Sequence, residues 1–396
     1  MTDNASPNDR KLLVYEPRVE GHHPGWLRFI TEDLLSGGFE LVLAVDLRPD
    51  SRRIIDEHLG DLIHRVQLIP AVDECGRPRN GNTAAAIVAG LEESGAPRAF
   101  LCAFDELASA AFRRAALGLD PPRELRGCIG GIYHRPRFTA APWWSPNRLL
   151  KAAGFRRFMR KGWIRPLLIL DEYLARNVKA AFPGKPVFFL PDPCPDDFAG
   201  DAPAARSALG VPPEKQVFLF FGVGAKRKGL HLAVEAMLRV KEADAYLLVA
   251  GRQNPPPWVQ QGLAQLQHQG RAMVLDRYVS SAEEKLCFQA ADVVLLPYLN
   301  HFGTSGILSR AMASGKPVIA SDEQLVGRLV KDHAIGWRFP SGDAAALTGC
   351  LSRAVHCDAR TRRRFQASTE RYAGQYSRQA YRDALLASLW STSHPR

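Results

Sequence analysis

Residues 291–321 read ADVVLLPYLNHFGTSGILSRAMASGKPVIAS, and this stretch constrains the fold more than any other. The apolar run Val293–Leu296 stops at Pro297, and a loop follows. Gly303, Thr304, Ser305 and Gly306 then open a helix that closes at Gly315, ahead of a second apolar run at 318–320. Short β-branched runs bounded by Pro and Gly read as buried strands, so the stretch is expected to be strand, loop, helix, strand. Glycines in the loop remove the Cβ atoms that would keep backbone amides from a ligand. The first-turn N–H groups of the helix lack internal partners, which favours a phosphate there. Thr304 and Ser305 either cap the helix or bond a ligand oxygen.

A chain of 396 residues fits two α/β domains of similar size. No apolar run approaches the roughly 20 residues that span a bilayer. The first residues, MTDNASPNDRK, lack the apolar core of a secretory signal, so a cytoplasmic location is expected. The seven cysteines are scattered and include no Cys-x-x-Cys pair, which argues against a zinc site and for small buried hydrophobes.

The net charge of +11 is unevenly spread: residues 125–170 hold ten Lys and Arg and no Asp or Glu. Such a patch attracts phosphate-bearing partners. If 155–162 is helical, Phe155, Phe158 and Met159 share one side and Arg156, Arg157, Arg160 and Lys161 the other, with Trp143, Trp144 and Trp163 flanking. That is the composition of a contact with an anionic membrane surface through residues 143–165. The plainer reading packs the apolar side on its own domain and leaves the basic side solvated.

In the first half, KLLVYE (Lys11–Glu16), a loop, a helix over 25–36 and a strand over 41–45 begin a doubly wound sheet. Gly21, His22 and His23 lie on the first loop, at the strand ends where such sheets bind ligands. Asp105 and His134 each follow a later strand of the same sheet. PDPCPDD at 191–197 reads as a linker. The second half restarts with VFLFFG and GVGAKRKGL, where Lys226, Arg227 and Lys228 lie on a Gly-flanked loop at the carboxyl end of a strand, placed to neutralise a diphosphate. LLVAG and Arg252 end the next strand, and a last helix covers 378–389.

The order FFG, KRKG, LLVAG, AADVVLLPY, GTSGILSRAMASGKPVIAS resembles the nucleotide-sugar domain of retaining GT-B glycosyltransferases, particularly glycosyltransferase family 4. The resemblance covers residues 217 to about 351. The first half matches in its α/β order and in Gly21.

The resemblance implies an α/β fold of two Rossmann-like domains facing a cleft. The acceptor domain would cover 1–192 and the donor domain 193–375, with a last helix, 376–396, crossing back. It further implies that Lys228 contacts the donor diphosphate, helped by Arg227 and Lys226. Gly222, Gly224, Arg252 and the amides around Gly303, Thr304, Ser305 and Gly306 would complete the donor site. His134 would lie near the reacting sugar, with Gly21, His22, His23 and Asp105 lining the acceptor side. The nucleotide-diphosphate sugar is then the substrate, and neither a metal nor another cofactor is implied.

The family's two glutamates, separated by seven residues, fall at Phe302 and Arg310, and an arginine usual after its first glycine is Val223. Arg310 could reach a phosphate instead. The resemblance implies a retaining, hexosyltransferase-like enzyme acting on a glycan or lipid-linked acceptor in polysaccharide biosynthesis. The missing carboxylates motivate an alternative, a catalytically impaired partner subunit that binds a nucleotide sugar or glycan. Nucleic-acid binding through 135–165, with the tryptophans as stacking platforms, is a third and less favoured reading.

Overall fold

The computed structural model describes residues 10–21, 23–134, 136 and 145–391. His22 of the expected site, and Arg135, Trp143 and Trp144 of the basic segment, lie outside the described residues. The chain divides into two compact units: residues 1–191 with 382–396, and residues 192–381.

The first unit is built on seven parallel strands: β1 (Lys11–Glu16), β2 (Glu40–Val45), β3 (Gln67–Pro70), β4 (Ala99–Leu101), β5 (Ile129–Tyr133), β6 (Ile164–Ile169) and β7 (Val187–Phe189). They lie in the order β3-β2-β1-β4-β5-β6-β7. The inner strands carry continuous apolar runs because helices cover both faces. Leu12, Leu13, Val14 and Tyr15 of β1 are all buried.

The second unit repeats the plan with β8 (Gln216–Phe221), β9 (Ala245–Ala250), β10 (Ala272–Leu275), β11 (Val293–Leu296), β12 (Val318–Ser321) and β13 (Gly336–Phe339), ordered β10-β9-β8-β11-β12-β13. In both sheets the order reverses beside the first strand, between β1 and β4 and between β8 and β11. Loops diverge at that point and open a crevice at the carboxyl ends of the strands. The helix Arg378–Trp390 begins in the second unit, and from Arg382 its residues belong to the first.

The basic segment forms the helix Pro146–Lys161. Its apolar side faces inward: Phe155, Phe158 and Met159 are buried, and Phe112 packs edge-on against Phe155 and Phe158 at 5.5 and 5.2 Å. Gly154 makes this possible, since a Cβ there would collide with the Phe112 carbonyl oxygen. Trp163 is buried too, with Arg126 and Arg157 over its ring. The helix is amphipathic as expected, and the plainer reading describes its apolar side. The aromatic side packs on its own unit, and the exposed side carries Arg156, Arg160 and Lys161 together with Leu149, which is 48% exposed.

Among the described residues no helix is long and apolar enough to cross a membrane. Cys102, Cys194, Cys287 and Cys350 are buried, as expected of small apolar side chains.

Candidate active site

In the second unit, the reversal between β8 and β11 brings together two loops that lie some seventy residues apart in the chain. The first carries Gly222 and Gly224. It is tied to the end of β9 by the Gly222 amide donating to the Ala250 carbonyl (2.9 Å) and the Gly224 amide to the Arg252 carbonyl (2.9 Å). Gln253 fastens it from below, its Nε2 donating to the carbonyls of Gly222 and Gly251, each at 2.7 Å. Lys226–Lys228 then form one 3₁₀ turn that ends at Gly229. Gly229 sits at φ +76°, and a Cβ there would collide with the Pro297 carbonyl oxygen. The Lys-Gly pair is therefore a packing requirement: only glycine lets this turn seat against the second loop.

The second loop follows β11. Its Leu299 amide donates to the Arg227 carbonyl at 2.9 Å. The Lys228 ammonium lies 4.5 Å from the centre of the Tyr298 ring and donates to its hydroxyl at 3.1 Å. That hydroxyl is 2.9 Å from Ser305 Oγ, which in turn accepts the Leu308 amide at 3.4 Å. Ser305 is thus the N-cap of the helix Gly306–Ala313, leaving the Gly306 and Ile307 amides without partners inside the helix.

His301 bridges the same two loops. Its Nδ1 accepts from Arg227 Nη1 at 3.2 Å and its Nε2 donates to the Thr304 carbonyl at 3.0 Å. With three donors on an ammonium and one used on Tyr298, Lys228 retains two for a ligand. Lys226 and Arg252 are exposed at the same strand edge. The arrangement is a cationic, amide-rich rim that can neutralise a diphosphate.

Arg310 is engaged inside its unit. Its Nε lies 2.7 Å from Glu284 Oε1, its Nη1 donates to the Gly306 carbonyl at 2.9 Å, and its guanidinium sits 5.9 Å from the Phe198 ring centre. Burial pushes the Glu284 carboxyl above its ordinary value, against the pull of Arg310. Phe302 is partly buried on the loop, and Val223 is 68% exposed where the resemblance expects an arginine.

In the first unit the expected residues gather beside the β1/β4 reversal. His134 is held from two sides: its amide donates to Asp105 Oδ2 at 2.8 Å, and its Nε2 donates to the Cys102 carbonyl at 2.8 Å. Trp26 meets its ring at 5.4 Å, edge to face. Burial lowers the imidazole pKa by more than the Asp105 carboxylate raises it, so the ring is neutral with its proton on Nε2. His23 Nδ1 lies 3.0 Å from Oε2 of Glu16, a carboxylate only 1% exposed at the end of β1. The Arg18 amide donates to the other Glu16 oxygen at 3.0 Å, and the Arg18 guanidinium pairs with Glu106. Gly21 turns the chain at φ +63° on the exposed part of the loop.

Several functional candidates escape the sequence reading: Tyr298 and His301 in the second unit, and Glu16, Arg18 and Trp26 in the first. Glu16 does carry a signal, as a carboxylate closing an otherwise apolar buried strand. Tyr298 and His301 carry none, because the partners that join them to the cationic turn, Lys228 and Arg227, lie on a different loop.

Residues 201–372 match the family described as glycosyl transferases group 1. The phosphatidyl-myo-inositol mannosyltransferase of Mycobacterium leprae (strain TN) is 29% identical over 170 residues, 42% of this chain and 44% of that protein. The lipopolysaccharide core biosynthesis glycosyltransferase LpsE of Rhizobium meliloti (strain 1021) is 25% identical over 186 residues, 47% of this chain and 53% of that protein. The chain thus spans about half the length of the curated relatives it matches. HepE of Anabaena, solved in complex with UDP, superposes with a TM-score of 0.69 at 14% identity, over 96% of this chain and 100% of that one. Likeness at that identity speaks to the fold, and the fold is GT-B: two Rossmann-like α/β units.

Proposed function

We propose that this chain, whose residues 201–372 carry a glycosyl transferases group 1 domain, moves a sugar from a nucleotide-diphosphate sugar to a glycan or lipid-linked acceptor with retention at the anomeric carbon. The single observation that carries the reading is the seating of Lys228 on Tyr298, beside the capped N-terminus of the helix Gly306–Ala313. Departure of a nucleoside diphosphate needs its developing charge stabilised, and preorganised cations and amides do this most effectively. Lys228, with Arg227 and Lys226 beside it, serves the leaving group. The amides at Gly303–Gly306 and the backbone of Gly222 and Gly224 approach the phosphates and sugar, and Arg252 supplies a further cation. Arg310 acts as a positioning residue, holding the Gly306 carbonyl. HepE, at 14% identity, is solved with UDP, which supports a nucleotide donor here.

In the first unit, the neutral His134 ring and the Asp105, Glu16 and His23 groups line the acceptor side. The donor is a substrate, and the chemistry requires no resident cofactor. A peripheral contact with an anionic membrane is supported by the exposed Arg156, Arg160 and Lys161.

The test is a thermal-shift and donor-hydrolysis screen of the purified chain against UDP, GDP, ADP and dTDP sugars, with Lys228→Ala alongside. Stabilisation by one nucleotide class with slow hydrolysis, both lost in Lys228→Ala, is the expected outcome. Stabilisation without turnover under any acceptor would favour the second reading, a nucleotide-sugar binding partner subunit. The observation behind that reading is that Phe302 and Arg310 stand where the resemblance expects the two glutamates. If no nucleotide shifts the melting curve, the donor-site proposal fails.

A further inference from the structure

The helix Asp105–Ala116 begins at the His134 cluster and runs away from it, and its flank is open. Leu107, Ala110, Ala111 and Arg114 follow one another at three- and four-residue spacing along one face, lining a cavity of about 630 Å³. Leu119, Leu125 and the buried Phe158 supply apolar walls on other sides. A concave, mostly apolar volume within roughly 300–1,000 Å³ is the size of a small-molecule site.

Two acids line the cavity, and each is neutralised by an arginine of the same unit. Glu106 pairs with Arg18, and Asp120 lies 2.5 Å from Arg157 and 3.7 Å from Arg126. Arg157 holds the Asp120 carboxyl below the usual range. The remaining charge on the lining is Arg114, which is exposed and in no ion pair among the described residues. Beside it Leu117 and Leu119 are 69% and 49% exposed, continuing the apolar surface past the rim. An apolar trough with one unspent cation at its end is complementary to a chain that is apolar along its length and negative at its head.

We propose that this groove binds a single alkyl chain carrying an anionic, phosphate-type head, with the head at Arg114 and the chain lying along the helix toward Glu106. From residue 106 to 114 the helix rises about 12 Å, at about 1.5 Å per residue, which is room for a chain of roughly ten carbons. Affinity should therefore rise about fourfold per added methylene and level off once the trough is full. The site needs nothing from the donor loops, so its test is independent of the glycosyltransferase reading.

The experiment is calorimetric titration of the full chain with hexyl, octyl, decyl and dodecyl phosphate below their critical micelle concentrations, with inorganic phosphate and decyl glucoside as controls. The expected result is a steep gain with chain length that flattens near ten carbons, and little binding of inorganic phosphate. Ala110→Trp, at an exposed helix position, should weaken decyl phosphate at least tenfold. Arg114→Glu should weaken decyl phosphate about tenfold and spare decyl glucoside. Leu119→Ser serves as the second groove variant if Ala110→Trp fails to fold.

A second arm, flotation with phosphatidylglycerol vesicles, separates the two sources of such a chain. Ala110→Trp-sensitive vesicle binding identifies a bilayer lipid, whereas sensitivity confined to the soluble amphiphile identifies a free single-chain ligand. Affinity independent of chain length, or unchanged in both groove variants, overturns the proposal.

Discussion

Lys228 rests on Tyr298: its ammonium lies 4.5 Å from the ring centre and 3.1 Å from the hydroxyl, which passes the contact on to Ser305 at 2.9 Å. A flexible four-carbon side chain is thereby fixed at the edge of the sheet before any ligand arrives. The ring holds the cation, and the hydroxyl links it to the cap of the helix Gly306–Ala313.

Tyr298→Phe keeps the ring and removes the link. It should lower affinity for the stabilising nucleotide about two- to tenfold, the worth of one hydrogen bond of about 0.5–1.5 kcal/mol. Titration calorimetry on Tyr298→Phe, Ser305→Ala and the double variant gives the check. Additive losses would show that the two hydroxyls do not act together.

Gly229→Ala should be far more damaging than its size suggests. The position combines φ +76° with a Cβ that would strike the Pro297 carbonyl. A loss of about 2 kcal/mol or more in urea unfolding is expected, with nucleotide stabilisation lost as well, since the KRK turn must lift off the second loop.

Arg310→Glu reinstates the residue that the resemblance expects, but places it against Glu284. Repulsion across the present 2.7 Å pair should cost about 1–3 kcal/mol, less than for a fully buried pair because Arg310 is partly exposed. Urea unfolding of Arg310→Glu and of the swapped Arg310→Glu, Glu284→Arg variant tests this. Partial recovery in the swap is expected, and equal stability of all three would remove the pair as the cause.

The pH dependence follows from His134, whose folded-state pKa lies below the ordinary 6.5 because burial disfavours the charged ring. Below 6.5 the unfolded chain takes up the proton first. The stability contribution is therefore full above the ordinary value and is lost as pH falls from there through the lower folded-state pKa. Unfolding free energies measured from pH 7.5 to 5 should fall with acidity, and His134→Gln should flatten that slope.

Arg156→Gln with Arg160→Gln should weaken sedimentation with phosphatidylglycerol vesicles about 30-fold at low salt, at about 1 kcal/mol per basic residue. Neutral vesicles should show no such dependence. Phe155→Ser, by contrast, should lower thermal stability, since that ring packs edge-on to Phe112 and Phe182 inside the unit.

Much of this architecture was legible in the residues. Val293–Leu296 and Lys11–Glu16 announce buried parallel strands because helices on both faces demand unbroken apolar runs. The glycines around Lys226–Lys228 and the Gly303–Gly306 run announce a loop and a helix start through local chemistry alone. The helices Pro49–Leu59 and Ala359–Gln375 were not anticipated. The second has a charged composition, TRRR among it, and shows only a thin apolar stripe through Phe365 and Tyr372.

What the sequence determined by itself is whatever depends on neighbours along the chain: the alternation of strands and helices, the Gly-flanked cations at 226–228, and the helix start at Gly303–Gly306. What only the tertiary structure decided is where each long side chain spends its interactions. Arg310 goes to Glu284, Lys228 to Tyr298, His301 to Arg227 and Thr304, and the aromatic side of the basic helix to Phe112. These partners lie up to about seventy residues apart, and the doubly wound topology brings them together. No local pattern of charge or hydrophobicity encodes which of several possible partners a side chain meets.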